Sequence, residues 1–159
     1  MITRHRSCGD AIRAEVHIAA PPEEVWDEVG DISNHVTWMD DAVAIRFTGP
    51  ATGGVGTSFD CDTRIGPFRL TDRMTVTEWR PPERMGIRHT GLVIGNGRFR
   101  IEPLPGARSR FVWQERLVFP WWMGGRAGAR AAAPILARIW HRNLHNLKRR
   151  IEQHGPPAL

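Results

Sequence analysis

The chain has 159 residues, 22 of them Lys or Arg against 17 Asp or Glu, for a formal net charge of +5. That length predicts one domain burying about 68–70% of its unfolded surface; it holds no run of about 18 apolar residues to span a bilayer, and MITRHRSCGD at the start lacks the apolar segment of a secretory signal. Two cysteines, Cys8 and Cys61, supply neither a disulfide framework nor a paired metal motif, so a cytoplasmic protein is expected.

Only Lys148 among the basic residues is lysine, a bias that points to genome composition rather than to a nucleic-acid partner. Seven tryptophans and no tyrosine favour large apolar faces, in a core or in a pocket wall.

In chain order, residues 11–18 alternate Ile12, Ala14, Val16 and Ile18 against Arg13, Glu15 and His17, the pattern of a half-buried strand. Pro21 and Pro22 then suit a helix start, with Glu23 and Glu24 at its positive end and Val25, Trp26 and Val29 as an apolar stripe. DISNHVTWMD reads as a second short helix, with Ile32, Val36 and Met39 inward and Ser33 as its cap.

From Asp41 to Phe119 the signals are β. Strands are predicted over 42–47, 56–65, 68–79, 84–94, 97–103 and 109–119, separated by the turn segments GPATGG, GP, RPPE, GNG and PLPGA. Short turns between consecutive strands imply an antiparallel meander. A long helix over about 125–153 closes the chain. Leu136, Trp140, Asn143, Leu147 and Ile151 project to one side of it, and Arg138, His141, Arg142, His145 and Arg149 to the other. Pro134 predicts a kink, or a start near residue 133.

The expected fold is therefore α+β: a seven-stranded curved antiparallel sheet around a long C-terminal helix, with two short helices after the first strand. The predicted organisation is a disordered or extended N-terminus over 1–10, one ligand-binding domain over 11–153 and a tail over 154–159. A curved sheet and one helix do not fill the space between them, which predicts an internal cavity.

The segments AAPPEEVWDEVGDISNHVTW, GVGTSF at 54–59, VTEWRPPERM at 76–85 and FPWWMGG with RNLHNLKRRIE near the end resemble the START-like, Bet v 1-like superfamily, also called SRPBCC or polyketide cyclase/dehydrase and lipid-transport proteins. The resemblance covers about 11–153 and implies a helix-grip fold with a deep pocket between sheet and helix. It also implies a polar residue at Asn143 and a pocket arginine at Arg73, as in the aromatase/cyclases of the group. Those cyclases carry a tyrosine near the second short helix, where this chain has Ala42.

Three residues are candidates for chemistry. Asn143 sits on the apolar face of the last helix, where an amide needs partners. Arg73 is set by the resemblance in the pocket, to stabilise an enolate. Simple alternation instead turns Leu70, Asp72, Met74 and Val76 inward and Arg73 out, unless a bulge intervenes. Glu115 shares one strand face with Phe111, Trp113, Leu117 and Phe119, an apolar setting that raises a carboxyl pKa and suits acid–base work. His89, on the face of Met85 and Ile87, is its candidate partner. Ligand contacts are expected from Trp26, Trp38, Cys61, Asp72, His89, Trp113, Trp122 and Trp140.

His141 and His145 have the spacing of helical metal ligands but no third ligand, and no metal or other cofactor is implied. The expected function is binding of a hydrophobic small molecule, polyketide-, aromatic- or lipid-like, in an internal cavity. The alternatives are a polyketide cyclase/dehydrase-type enzyme, and a lipid carrier touching anionic membranes weakly through the basic face of the last helix, with Trp121 and Trp122 as interfacial aromatics. Monomer and homodimer both fit the sequence.

Overall fold

The structure is a computed structural model that describes residues 11–154. The predictions for 1–10 and 155–159, and Cys8 with them, lie outside the described residues.

Seven strands form one antiparallel sheet: β1 (Ile12–Ile18), β2 (Ala42–Phe47), β3 (Ser58–Ile65), β4 (Phe68–Arg80), β5 (Arg84–Thr90), β6 (Ile94–Leu104) and β7 (Arg108–Val118). Their spatial order is β1-β7-β6-β5-β4-β3-β2, so β2 to β7 form an uninterrupted meander and β1 pairs with the last strand. The α-helix α1 (Pro22–Val29) and the 3₁₀-helix η1 (Ile32–Thr37) follow β1. A 3₁₀ turn, η2 (Trp121–Met123), leads from β7 into the long helix α2 (Gly125–His154).

Local chemistry accounts for most of these elements. In β1, Ile12, Ala14, Val16 and Ile18 are buried and the residues between them are not, as alternation requires. Pro22 opens α1, where its missing N–H costs nothing, and Glu23 and Glu24 sit in the first turn. Helix α2 buries Leu136, Trp140, Asn143, Leu144, Leu147 and Ile151. It lies across the sheet, with the Trp140 and Trp113 rings stacked at a centroid separation of 4.7 Å, a contact worth about 1 kcal/mol beyond its buried area. At its C-terminal end Glu152 accepts from the Ala19 N–H at 2.8 Å, and Arg150 pairs with Glu28 of α1 at 2.7 Å.

Four local expectations are corrected. Val36 is exposed rather than inward, because the second helix is 3₁₀ and its tighter turn buries Ile32 and His35 instead. Ser33 is no cap: Asp31 holds the N-cap position and accepts from the Ser33 hydroxyl. Residues 95–97 are not a turn, because Gly91 to Val93 turn the chain and Gly95 to Gly97 run inside β6. Pro134 does not delay α2, which starts at Gly125 and carries the proline within its first turns.

Candidate functional site

Between the sheet and α2 lies a cavity of about 150 Å³. Its wall is largely apolar, with Phe59, Met85, Phe99, Trp113, Leu136 and Trp140 among the lining side chains. Six hydrogen-bonding groups interrupt it on the sheet side: Cys61 and Thr63 on β3, Asp72 on β4, His89 on β5, Arg98 on β6 and Glu115 on β7.

Asp72, His89 and Glu115 form one buried cluster, each less than a tenth exposed. His89 Nδ1 is hydrogen-bonded to Asp72 Oδ2. His89 Nε2 stands 3.6 Å from Glu115 Oε2, an ion-pair separation too long for a hydrogen bond. The other Glu115 oxygen accepts from the Trp113 indole N–H at 2.9 Å, which ties the carboxyl to the aromatic wall. Room for it comes from Gly97, its cross-strand partner, where a Cβ would stand 3.0 Å from Glu115 Oε1. Burial alone would lower the His89 pKa, but the Asp72 hydrogen bond and the nearby Glu115 carboxylate outweigh it and push the value up to about 10. The imidazole is therefore held as a cation at neutral pH. Among the described residues, His89 Nε2 and Asp72 Oδ1 have no hydrogen-bond partner.

Two further titratable groups border the cavity near α2. His35 donates from Nε2 to the Val29 carbonyl at 2.7 Å, and complete burial lowers its pKa to about 4, so it is neutral. Asp41 accepts from the Asn143 amide at 2.6 Å, and burial raises its pKa. The Cys61 thiol is likewise pushed up, to about 11, by burial, and stays protonated.

The structure thus brings together Cys61, Asp72, His89, Trp113, Glu115 and Trp140 on one cavity, and sets the other candidates elsewhere. Arg73 points away from it, with its guanidinium on Asp60 at 2.8 Å on the outer face of the sheet. A bulge does interrupt β4, but between Val76 and Glu78, past the position where it would turn Arg73 inward. Asn143 is fully buried yet lines no cavity wall. Its Oδ1 accepts from the Asp40 N–H at 3.0 Å, so both ends of the amide fasten the start of β2 to α2. Trp26 packs edge-on against Trp79, Trp38 lies behind the wall against Trp113, and Trp122 is exposed. His141 and His145 lie on the exposed side of α2 with their Nε2 atoms 3.1 Å apart.

Asp41, Thr63 and Arg98 are polar wall groups that earned no site role from sequence. Asp41 sits beside a predicted strand start, and only the long-range contact with Asn143 reveals its burial.

A curved sheet gripping one long helix around a mainly apolar cavity is the helix-grip architecture. The family described as polyketide cyclase / dehydrase and lipid transport matches residues 10–152, and the chain belongs to it. No curated protein matches the sequence. Among solved structures, TTHA0849 from Thermus thermophilus superposes with a TM-score of 0.76 at 16% identity, covering 92% of this chain and 100% of that one. The Zhui aromatase/cyclase from Streptomyces sp. R1128 gives 0.72 at 16% identity, covering 94% and 97%. StfQ, a di-domain ARO/CYC from the steffimycin biosynthetic pathway, gives 0.68 at 16% identity, covering 89% of this chain and 44% of its own. At such identities the likeness is one of fold. Among the described residues no helix is long and apolar enough to cross a membrane.

Proposed function

We propose that this protein binds a hydrophobic small molecule in the cavity, with an oxygen of the ligand set on the His89–Asp72–Glu115 cluster. The observation that carries this reading is the pair of unpartnered buried atoms, His89 Nε2 and Asp72 Oδ1, beside an apolar cavity. Buried polar groups without partners are costly, and a ligand hydroxyl or carbonyl would satisfy them. An apolar pocket with a few convergent polar groups is the usual form of a small-molecule site. A cavity of about 150 Å³ suits a single aromatic ring; longer polyketide- or lipid-like ligands would extend towards η2.

Phenol and toluene as matched probes test it, by calorimetry and thermal shift on the freshly purified protein. Phenol should bind more tightly than toluene, and His89→Gln should remove the difference. Equal affinity of wild type for both, or binding of neither together with no co-purified apolar compound by native mass spectrometry, would sink the proposal.

A second reading is a cyclase/dehydrase-type enzyme, supported by family membership and by an imidazolium between two carboxyl groups. Its acid would be His89 and its base Glu115, rather than Arg73 or Asn143, neither of which lines the cavity. Conversion of a poly-β-ketone substrate that survives both His89→Gln and Glu115→Gln would rule this assignment out.

A further inference from the structure

The exposed apolar side chains are not scattered. Ten large ones are exposed among the described residues, and six of them (Phe68, Leu92, Ile94, Val118, Trp121 and Trp122) belong to one end of the sheet. The antiparallel register puts them there: the β3–β4 turn, the β5–β6 turn and the exit of β7 into η2 all lie at that end, and Ile94 pairs with Val118. Trp121 is 87% exposed and Phe68 72%. Single exposed apolar residues are ordinary on a soluble protein, whereas a rim of them marks a contact surface.

The rim borders one end of the cavity. Ile65, Leu70, Val93, Phe119 and Met123 line the cavity, and each is within a few residues of a rim side chain. The same segments are strongly basic. Residues 64–69, 88–95 and 116–126 hold five arginines (Arg64, Arg69, Arg88, Arg116 and Arg126) and no acidic residue, in a chain whose formal net charge is +5. The rest of the molecule is therefore close to neutral. The basic face of α2, which the lipid-carrier alternative would turn to a membrane, is offset locally: Arg142 pairs with Asp40, Lys148 with Glu152 and Arg150 with Glu28.

We infer that this end of the sheet docks on an anionic membrane surface, with Trp121, Trp122 and Phe68 at headgroup level and the surrounding arginines against lipid phosphates. Tryptophan beside arginine is the side-chain pairing such an interface favours, and juxtaposed cations strengthen it in a salt-dependent way. Docked so, the cavity end faces the acyl layer, and a hydrophobic molecule passes between bilayer and cavity without crossing water. That passage rests on the ligand-binding reading above; the docking itself does not.

Flotation of the full chain with phosphatidylcholine vesicles, with and without phosphatidylglycerol, tests the docking. Wild type should float with the anionic vesicles and be released by salt. Trp121→Ser/Trp122→Ser should lower partitioning by about tenfold or more, with an unchanged circular dichroism spectrum. Arg69→Gln/Arg126→Gln should remove the preference for phosphatidylglycerol, and Arg142→Gln/Arg149→Gln on α2 should not. No flotation with either vesicle would overturn the proposal, as would equal flotation of the tryptophan variant. So would a wild-type homodimer that the tryptophan variant converts to monomer without any vesicle binding, since the rim would then cover a second copy of the chain. Phenol binding measured without vesicles keeps the two readings apart: if docking fails and phenol still binds, the cavity proposal stands alone.

Discussion

The Asp72 carboxyl reaches the His89 imidazole diagonally across β4 and β5: His89 lies opposite Met74, and Asp72 is two residues further along the same inward face. Glu115, on the other side of the ring, completes an anion–cation–anion row under a largely apolar wall. Removing the central cation leaves two buried carboxyl groups without a counter-charge. His89→Ala should therefore cost about 3–5 kcal/mol of unfolding free energy, read as a lower urea midpoint at unchanged slope. Arg73→Ala, which removes only a surface pair with Asp60, should barely move the midpoint. A His89→Ala midpoint as high as that of Arg73→Ala would contradict this account.

The two buried histidines predict opposite pH limbs. His89 has a raised folded pKa, so its contribution is fully present below the ordinary imidazole value of 6.5 and is lost as pH rises towards about 10. His35 has a lowered one: burial must keep it neutral, and stability is lost as pH falls from 6.5 to about 4. The His35 shift corresponds to about 3 kcal/mol at most. Thermal midpoints recorded across pH should fall on both sides, with His89→Gln flattening the alkaline limb and His35→Gln the acid one. An alkaline limb of equal slope in His89→Gln would assign it to other groups.

The Asn143 amide spans two elements, donating to Asp41 and accepting from the Asp40 N–H. Asn143→Leu keeps the volume and strands both partners in a buried setting. We expect a loss of about 2–4 kcal/mol, from two hydrogen bonds and the unsatisfied groups left behind, with phenol affinity changed less than in His89→Gln. Chemical denaturation and calorimetry on the one variant separate these effects. A variant of wild-type stability that no longer binds phenol would return Asn143 to the cavity wall.

Much of this was legible in the sequence, and the misses share a cause. Alternation placed Leu70, Asp72, Met74 and Val76 inward and Phe111, Trp113 and Glu115 on one face, because a strand's side-chain direction is a local property. The same alternation turned Arg73 outward, and there it outweighed the family resemblance. The apolar stripe of α2 correctly buried Asn143, but a helix projection cannot say what stands opposite, and its partners lie 102 and 103 residues away. Gly95 and Gly97 read as a turn because glycine most often serves one; in β6, Gly97 instead clears space for the Glu115 carboxyl across the ladder. The apolar rim is a product of the meander, which gathers three chain segments that sequence order keeps apart.

Cys61 offers a probe inside the cavity. It is buried, and its thiol pKa is raised from 9.0 to about 11 by desolvation. That shift leaves about a hundredfold less thiolate than an ordinary cysteine carries near neutral pH. In a Cys8→Ser background, Cys61 should react with iodoacetamide at least a hundredfold more slowly than a small free thiol, and phenol should slow it further. Reaction at the free-thiol rate under native conditions would mean that the cavity is open to solvent.

The same probe reads the cap over the cavity. Gly128, in the first turn of α2, packs so closely on η2 that a Cβ there would lie 2.0 Å from the Met123 carbonyl oxygen. Gly128→Ala must therefore push Met123 and its neighbours aside, and Met123 lines the cavity. A shift at this corner loosens the segment carrying Trp121 and Trp122 while leaving the sheet and the Trp113–Trp140 stack in place. In the Cys8→Ser background, Gly128→Ala should raise the alkylation rate of Cys61 about tenfold or more. The urea midpoint should fall by no more than about 1–3 kcal/mol equivalent, the usual cost of a local overpacking. Urea concentrations far below the midpoint separate local opening from global unfolding, since only the latter changes steeply with denaturant. An alkylation rate equal to that of the Cys8→Ser parent would show that η2 does not gate the cavity, and access would then have to be sought elsewhere.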